Sequence, residues 1–107
     1  MDQEAAPSTD APRAVLHLRV HGIVQGVGYR HAMGAMAARL RLAGWVRNCR
    51  DGTVEAIVSG EAQAVDALLN WCRRGPPDAR VERVDTRAGT DAEAAALQPD
   101  FRHLPTL

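Results

Sequence analysis

The order in which two kinds of apolar repeat follow each other along the chain constrains its fold most strongly. Residues 15–21 alternate apolar and polar side chains, the two-residue period of a half-buried strand. Residues 30–42 carry apolar side chains at helical spacing, 45–50 and 53–59 are short runs typical of strands, and 61–74 return to helical spacing. The chain is therefore predicted to begin strand, helix, strand, strand, helix.

Glycine and proline mark where these elements end. Gly44 is predicted to close the first helix, whose start lies near Tyr29 or Arg30, and residues 73–77 (RRGPP) close the second. Residues 51–52 (Asp-Gly) predict a hairpin turn that makes strands two and three antiparallel neighbours. Three residues of strand three share the face that the helices are expected to cover: Val54, Ala56 and Val58.

The last quarter of the chain predicts one further strand and a short edge strand. Val81 and Val84 stand three apart in 79–87, so a strand there needs a bulge or a twist. Residues 88–100 are expected to form a loop, and 101–104 a short strand ended by a proline. The result is an α+β fold, a ferredoxin-like βαββαβ sandwich with a short additional edge strand and two helices on one face of a mainly antiparallel sheet.

Length and composition place this fold in a single domain. The chain has 107 residues, 46% of them apolar, and its 13 basic and 13 acidic side chains cancel. Residues 1–13 are rich in Pro, Ser, Thr and Asp and predict a flexible N-terminal tail, with the domain over 14–107. No apolar run approaches the roughly 18 residues of a membrane span, and acids stand where a secretion signal needs basic residues. We therefore expect a cytoplasmic protein, in which Cys49 and Cys72 are reduced and packed in the core.

The charges are unevenly distributed although they sum to zero. No acid lies between Asp10 and Asp51, a stretch that holds seven arginines, and every basic residue of the chain is arginine. Arginine presents a planar fork that suits phosphate or carboxylate. The basic stretch is either an ordinary solvated surface or a positive field for a small anion. The zero net charge argues against a general nucleic-acid binder.

A glycine-rich loop over residues 22–30 (GIVQGVGYR) lies between the first strand and the first helix. Glycines there allow consecutive backbone N–H groups to form an anion-binding nest, and the helix N-terminus adds unpaired donors. Arg30, in the first helical turn, is placed to reach back over that nest. The alternative is a loop that only turns the chain. The spacing matches neither the Walker loop nor the dinucleotide-binding pattern.

Two segments resemble the signatures of the acylphosphatases. Residues 20–30 (VHGIVQGVGYR) resemble the first signature, with Tyr29 where Phe is more common, and residues 44–60 (GWVRNCRDGTVEAIVSG) match the second. The resemblance implies a sheet order of 4-1-3-2, phosphate binding by Arg30, and orientation of the attacking water by Asn48. It also implies that backbone groups of one loop bind the phosphate: Val24, Gln25, Gly26, Val27, Gly28, Tyr29 and Arg30. Without the resemblance, Asn48 reads as a turn residue.

The resemblance also implies the reaction, which is hydrolysis of acyl phosphates. Their leaving group is a carboxylate, stable without protonation, so no general acid is needed to expel it. Positioning and charge stabilisation by Arg30 and the nest are expected to suffice, without a metal or a cofactor. The expected partners are a small acyl phosphate and its product phosphate, with no nucleic acid or membrane, and the chain is expected to be a monomer. The alternatives are a non-catalytic anion-binding module, which binds the same anion without turnover, and an RNA-binding sheet, which the scarcity of aromatic residues disfavours.

The remaining polar and large side chains carry less weight. His17 and His21 are about 13 Å apart along one strand, too far for a shared metal, and are expected to be exposed. His31 is expected at the mouth of the site without a catalytic role, and His103 stands where an edge strand is usually apolar. Four residues are predicted to pack the helices onto the sheet: Met33, Met36, Trp45 and Trp71.

Overall fold

The structure is a computed structural model and describes residues 11–107. Eight elements follow each other along the chain: β1 (Arg13–Ile23), α1 (Tyr29–Arg39), β2 (Ala43–Asn48), β3 (Val54–Glu61), α2 (Ala62–Arg74), β4 (Arg80–Ala88), α3 (Asp91–Ala95) and β5 (Phe101–His103). None of the helices within this range has the length and apolar character needed to cross a membrane.

The strands form one sheet in the order β4-β1-β3-β2-β5. β1 pairs antiparallel with β3 and β4, β2 pairs antiparallel with β3, and only β5 runs parallel to its neighbour β2. Both long helices pack on the same face of this sheet. The predicted ferredoxin-like α+β arrangement is therefore confirmed, with β5 as the additional edge strand.

The core lies between α1, α2 and the sheet face that they cover. The side chains of Val54, Ala56 and Val58 on the central strand β3 are fully buried there, as their shared face predicts. Met33 is buried in the same core, and Met36 packs against it. Trp45 is the exception among the predicted packing residues: its neighbours in β2 face the core, so the indole lies on the helix-free face.

Helix α1 ends earlier, and by a different device, than the sequence predicts. Its last residue is Arg39, and Arg41, not Gly44, takes the left-handed conformation with a φ of 58°. The Leu42 N–H donates to the carbonyl of Ala37 at 2.9 Å, which is the pattern of a Schellman motif. The predicted closing role of Gly44 is therefore wrong.

Gly44 is required for a different reason. It lies inside β2 with a φ of 141°, and a Cβ at this position would stand 1.9 Å from the carbonyl oxygen of Ile57. Only glycine lets β2 approach β3 this closely at that point.

The segment predicted as a loop over 88–100 contains the short helix α3. Its N-cap residue Thr90 accepts from the Glu93 N–H at 3.0 Å, and the Glu93 carboxylate accepts from the Thr90 N–H at 2.9 Å. This is a capping box, and its Thr-x-x-Glu pattern stood in the sequence. The prediction of a continuous loop is wrong because this capping box starts a helix within the segment.

The other boundaries agree closely with the periodicity. The bulge predicted for the fourth strand is confirmed by a register shift between His21 and Gly22 where β1 pairs with β4. β1 begins at Arg13, one residue before the predicted domain start, and the Pro12 carbonyl accepts from the Ala62 N–H at 2.8 Å. Residues 1–10 of the predicted tail lie outside the described residues.

Candidate active site

The loop between β1 and α1 turns on two glycines in the left-handed region. Gly26 has a φ of 75° and Gly28, the N-cap of α1, a φ of 81°. A Cβ at either position would meet nothing within 4 Å, so it is the backbone conformation, and not space, that favours glycine here. The first turn of α1 holds no acidic residue, so the free N–H groups at this helix start face no carboxylate of their own helix.

A cavity of about 220 Å³ opens over this loop. Its lining residues come from the loop, the first turn of α1 and the edge strand β5: Val24, Gly26, Gly28, Tyr29, Arg30, His31 and His103. Five of the seven predicted loop residues therefore line one cavity, while Gln25 and Val27 do not. None of the lining residues within 11–107 is acidic. Arg30 is half-buried, and within residues 11–107 its guanidinium has no hydrogen-bond or ion-pair partner. Its donors are available to an anion.

Asn48 is the last residue of β2, paired with Val54 of β3. Its backbone carbonyl accepts from the Leu107 N–H at 3.1 Å. Its side-chain Oδ1 is buried and has no hydrogen-bond partner among residues 11–107. A buried acceptor left unsatisfied costs about 1–3 kcal/mol, so this oxygen favours a donor such as a water molecule. Asn48 does not itself line the cavity, although α1 packs on β2.

The side chain of Gln25 connects the glycine loop to the β2–β3 turn. Its Nε2 donates to the backbone carbonyls of Cys49 at 2.8 Å and Thr53 at 2.9 Å. The sequence predicted only a backbone contribution from Gln25. These contacts span 24 positions of the sequence to Cys49 and 28 to Thr53, so no local pattern could have revealed them.

The β2–β3 turn is held by its own polar side chains. The Asp51 carboxylate accepts from the Thr53 hydroxyl at 2.6 Å and from the Thr53 N–H at 3.0 Å, and these bonds lower the pKa of Asp51. Arg19 donates to the same hydroxyl at 2.9 Å. The segment that follows Asn48 is therefore held by hydrogen bonds from Arg19 of β1 and from Gln25 of the glycine loop.

On the helix-free face, the Glu55 carboxylate contacts three basic side chains. Its carboxylate contacts His17 Nε2 at 2.7 Å and Arg47 Nε at 2.9 Å, with Arg19 at 3.4 Å. Burial raises the pKa of Glu55, but these hydrogen bonds and charges outweigh that effect and hold it below its ordinary value. The prediction that His17 is exposed is wrong, since only 12% of its side chain is accessible.

His21 is half-buried, so the prediction that it is exposed is also wrong. Its imidazole contacts the Asp85 carboxylate of β4 at 2.9 Å, with 22% of the side chain accessible. The two histidines are thus explained by pairing across strands, which the sequence alone does not reveal. Within residues 11–107, no three His, Cys, Asp or Glu side chains gather as a metal site requires.

Tyr29 anchors the start of α1 to the end of α2. Its hydroxyl donates to the backbone carbonyl of Cys72 at 2.6 Å, and its ring lies 5.2 Å from that of Trp71. Burial raises the pKa of Tyr29 far above its ordinary value and the pKa of the Cys72 thiol to about 12. Cys49 and Cys72 are both free and buried, as predicted.

This chain is similar to known proteins in sequence and in structure. The family model described as Acylphosphatase matches residues 16–102. An acylphosphatase of Acidovorax sp. (strain JS42) is 54% identical over 82 residues, which cover 77% of this chain and 84% of that relative.

Two solved structures have the same fold. The acylphosphatase from Coxiella burnetii superposes with a TM-score of 0.79 at 33% identity, covering 91% of this chain and all of that one. The acylphosphatase from Bacillus subtilis gives a TM-score of 0.77 at 29% identity, covering 84% of this chain and 97% of that one.

Proposed function

Since this chain belongs to the acylphosphatase family, we propose that it hydrolyses the carboxyl-phosphate anhydride bond of acyl phosphates. The observation that carries the proposal is the cavity in which the guanidinium of Arg30, without a partner within residues 11–107, meets the left-handed glycine loop at a helix N-terminus. An anion held there receives backbone N–H donors, the partial positive charge of the helix and a two-pronged cation.

Phosphate binding is the role that we assign to Arg30 and to the backbone of residues 24–30. Phosphoryl transfer spreads charge over the equatorial oxygens of phosphorus, and fixed donors aimed at those oxygens lower the barrier. None of the lining residues within 11–107 is acidic, so no carboxylate from this part of the chain's cavity lining repels the anion. Arg30 is positioned for this role by the first turn of α1, and Tyr29 beside it is immobilised by its bond to Cys72.

Water orientation is the role that we assign to Asn48. Its buried Oδ1 has no partner within residues 11–107, and an amide oxygen accepts a hydrogen bond from water without taking its proton. The water oxygen attacks phosphorus, the bond from phosphorus to the acyl oxygen breaks, and the carboxylate leaves with the bonding electron pair. Both water protons end on the product phosphate and the solvent, so the charges balance without a general acid.

Hydrolysis of benzoyl phosphate tests the proposal. We expect rapid turnover in excess chelator, because the assigned groups need no metal. Arg30→Ala should reduce kcat/KM at least a hundredfold, the scale of losing about 3 kcal/mol of transition-state stabilisation. Asn48→Ala should lower kcat with a smaller change in the affinity for inorganic phosphate, because its partner is the water.

Matched substitutions at exposed positions serve as controls. Arg39→Ala removes an arginine from the other end of α1, and Asn70→Ala removes an asparagine from the surface of α2. Both should retain wild-type turnover. If the folded wild type binds phosphate but hydrolyses no acyl phosphate, the proposal is refuted and the non-catalytic anion-binding module takes its place. Independence of metals, a monomeric state and a cytoplasmic location stay predictions, which the chelator assay, sedimentation and cell fractionation test.

A further inference from the structure

The rim of the cavity carries two histidines that the proposed hydrolysis does not use. His31 lies in the first turn of α1, and His103 ends the edge strand β5, yet both line the same cavity as Arg30. Both side chains are exposed, and neither has a hydrogen-bond partner within residues 11–107. Their ring N–H groups are therefore unused donors on opposite elements of one opening.

The position of His103 depends on a glycine in α1. A Cβ at Gly34 would stand 2.7 Å from His103 Nε2, so the imidazole lies directly against the helix backbone where a side chain is missing. The parallel pairing of His103 with Val46 of β2 carries this side chain to the helix side of the sheet. This contact places the end of β5 beside the cavity that opens over the glycine loop.

The chemistry of the lining indicates which acyl groups would fit. Within residues 11–107 the lining contains no acid, Val24 is its one aliphatic residue, and the Tyr29 ring is only 1% exposed. The other groups that line the cavity are Arg30, the two imidazoles and backbone N–H groups. A purely apolar acyl group would find little apolar surface to bury. A second anion would find donors and no repulsion.

We propose that His31 and His103 bind the acyl half of the substrate and select acyl phosphates that carry a second anionic group. This inference rests on the proposed function, in that Arg30 and the glycine loop hold the phosphate. We name the pair His31 and His103 the histidine rim.

The test compares benzoyl phosphate with 4-carboxybenzoyl phosphate, which differ by one carboxylate. The measured quantity is the ratio of their kcat/KM values, so the intrinsic reactivity of each substrate cancels between variants. His103→Phe and His31→Phe, which keep a ring but remove its N–H groups, should each lower the ratio about tenfold, the scale of one charge-assisted hydrogen bond. His103→Gln keeps a donor and should restore most of the ratio.

His21→Phe is the matched control, because His21 lies on the helix-free face and pairs with Asp85. Its ratio should equal that of the wild type. If the ratio in both rim variants stays within about twofold of the wild type, the inference is overturned. Wild-type preference for benzoyl phosphate over the carboxylated substrate would overturn it as well.

Binding separates failure of the rim from failure of the proposed function. Benzoylphosphonate and 4-carboxybenzoylphosphonate are not hydrolysed, and calorimetry gives their Kd values for the same variants. If the wild type hydrolyses neither benzoyl phosphate nor 4-carboxybenzoyl phosphate, the proposed function fails. The histidine rim would still be supported if the wild type binds the carboxylated phosphonate tenfold more tightly than the other and both Phe variants lose this difference. Equal Kd values for the two phosphonates in the wild type would refute it.

Discussion

Replacing Tyr29 with phenylalanine removes a single hydroxyl and leaves the ring in place. That hydroxyl donates to the Cys72 carbonyl at 2.6 Å. Cys72 lies in the last turn of α2, where backbone carbonyls have no partner within the helix. The family signature more often has phenylalanine at this position, so Tyr29→Phe tests what the extra hydroxyl contributes.

The expected cost follows from the burial of both partners. Tyr29 is 1% exposed and Cys72 is fully buried, so water cannot easily replace the lost donor. A buried carbonyl left without its partner costs about 1–3 kcal/mol, while the ring keeps its contact with Trp71. We expect Tyr29→Phe to lower the free energy of unfolding by about 1.5–2 kcal/mol, and Tm by roughly 6–16 °C for a domain of this size.

Urea unfolding followed by circular dichroism measures this cost, with Tyr29→Leu as the companion variant. The Leu variant also loses the aromatic ring and should cost about 3 kcal/mol or more. The slope of free energy against urea should be unchanged in Tyr29→Phe, since the unfolded surface is the same. A free energy of unfolding within about 0.5 kcal/mol of the wild type would refute the reasoning, because the carbonyl would then have found another donor.

Three further substitutions test other parts of the fold. Glu55→Gln should lower the free energy of unfolding by about 2 kcal/mol at pH 7. The folded-state pKa of Glu55 lies below its ordinary value, so the carboxylate stabilises the fold above the ordinary pKa and loses this contribution as the pH falls through the folded-state pKa. Equal costs in urea unfolding at pH 7 and pH 3 would contradict this reasoning. Gly44→Ala should cost about 3 kcal/mol or more, because its Cβ would stand 1.9 Å from a backbone oxygen, and an unchanged Tm would rule this out. Arg41→Gly should stabilise the fold by about 0.5–1 kcal/mol by relieving a φ of 58°, and thermal unfolding should show the rise.

Some errors of the sequence interpretation came from choosing between signals that were both present. Gly44 was a reasonable residue to close α1, but Arg41 closes it, because the chain must turn sooner to bring Leu42 into the core. The Thr90 capping box was visible in the sequence, and its five-residue helix was too short to show an apolar period. Both features depend on residues close together in the chain, so local sequence patterns contain the information that specifies them.

Some features of the candidate site follow from local sequence patterns, and others do not. The glycine loop and Arg30 are adjacent in sequence, so their presence in one cavity follows from the strand-loop-helix order. The resemblance alone indicates a role for Asn48, and the structure adds that its Oδ1 is buried and has no hydrogen-bond partner among residues 11–107. His31 lines the cavity, in agreement with its expected place at the mouth of the site. Its pairing with His103 and the bridge from Gln25 to the β2–β3 turn were not predicted, because their members come from different elements.

The sequence by itself determined the order of elements, the turn at residues 51–52 and the loop at an α-helix N-terminus. These depend on periodicity and backbone preferences within a few residues of each other. The tertiary structure alone decided that Tyr29 reaches Cys72, 43 positions away, and that His17 lies beside Glu55, 38 positions away. Such contacts depend on which strands and helices become neighbours. That choice is made by burying all the apolar faces at once, and no local pattern records it.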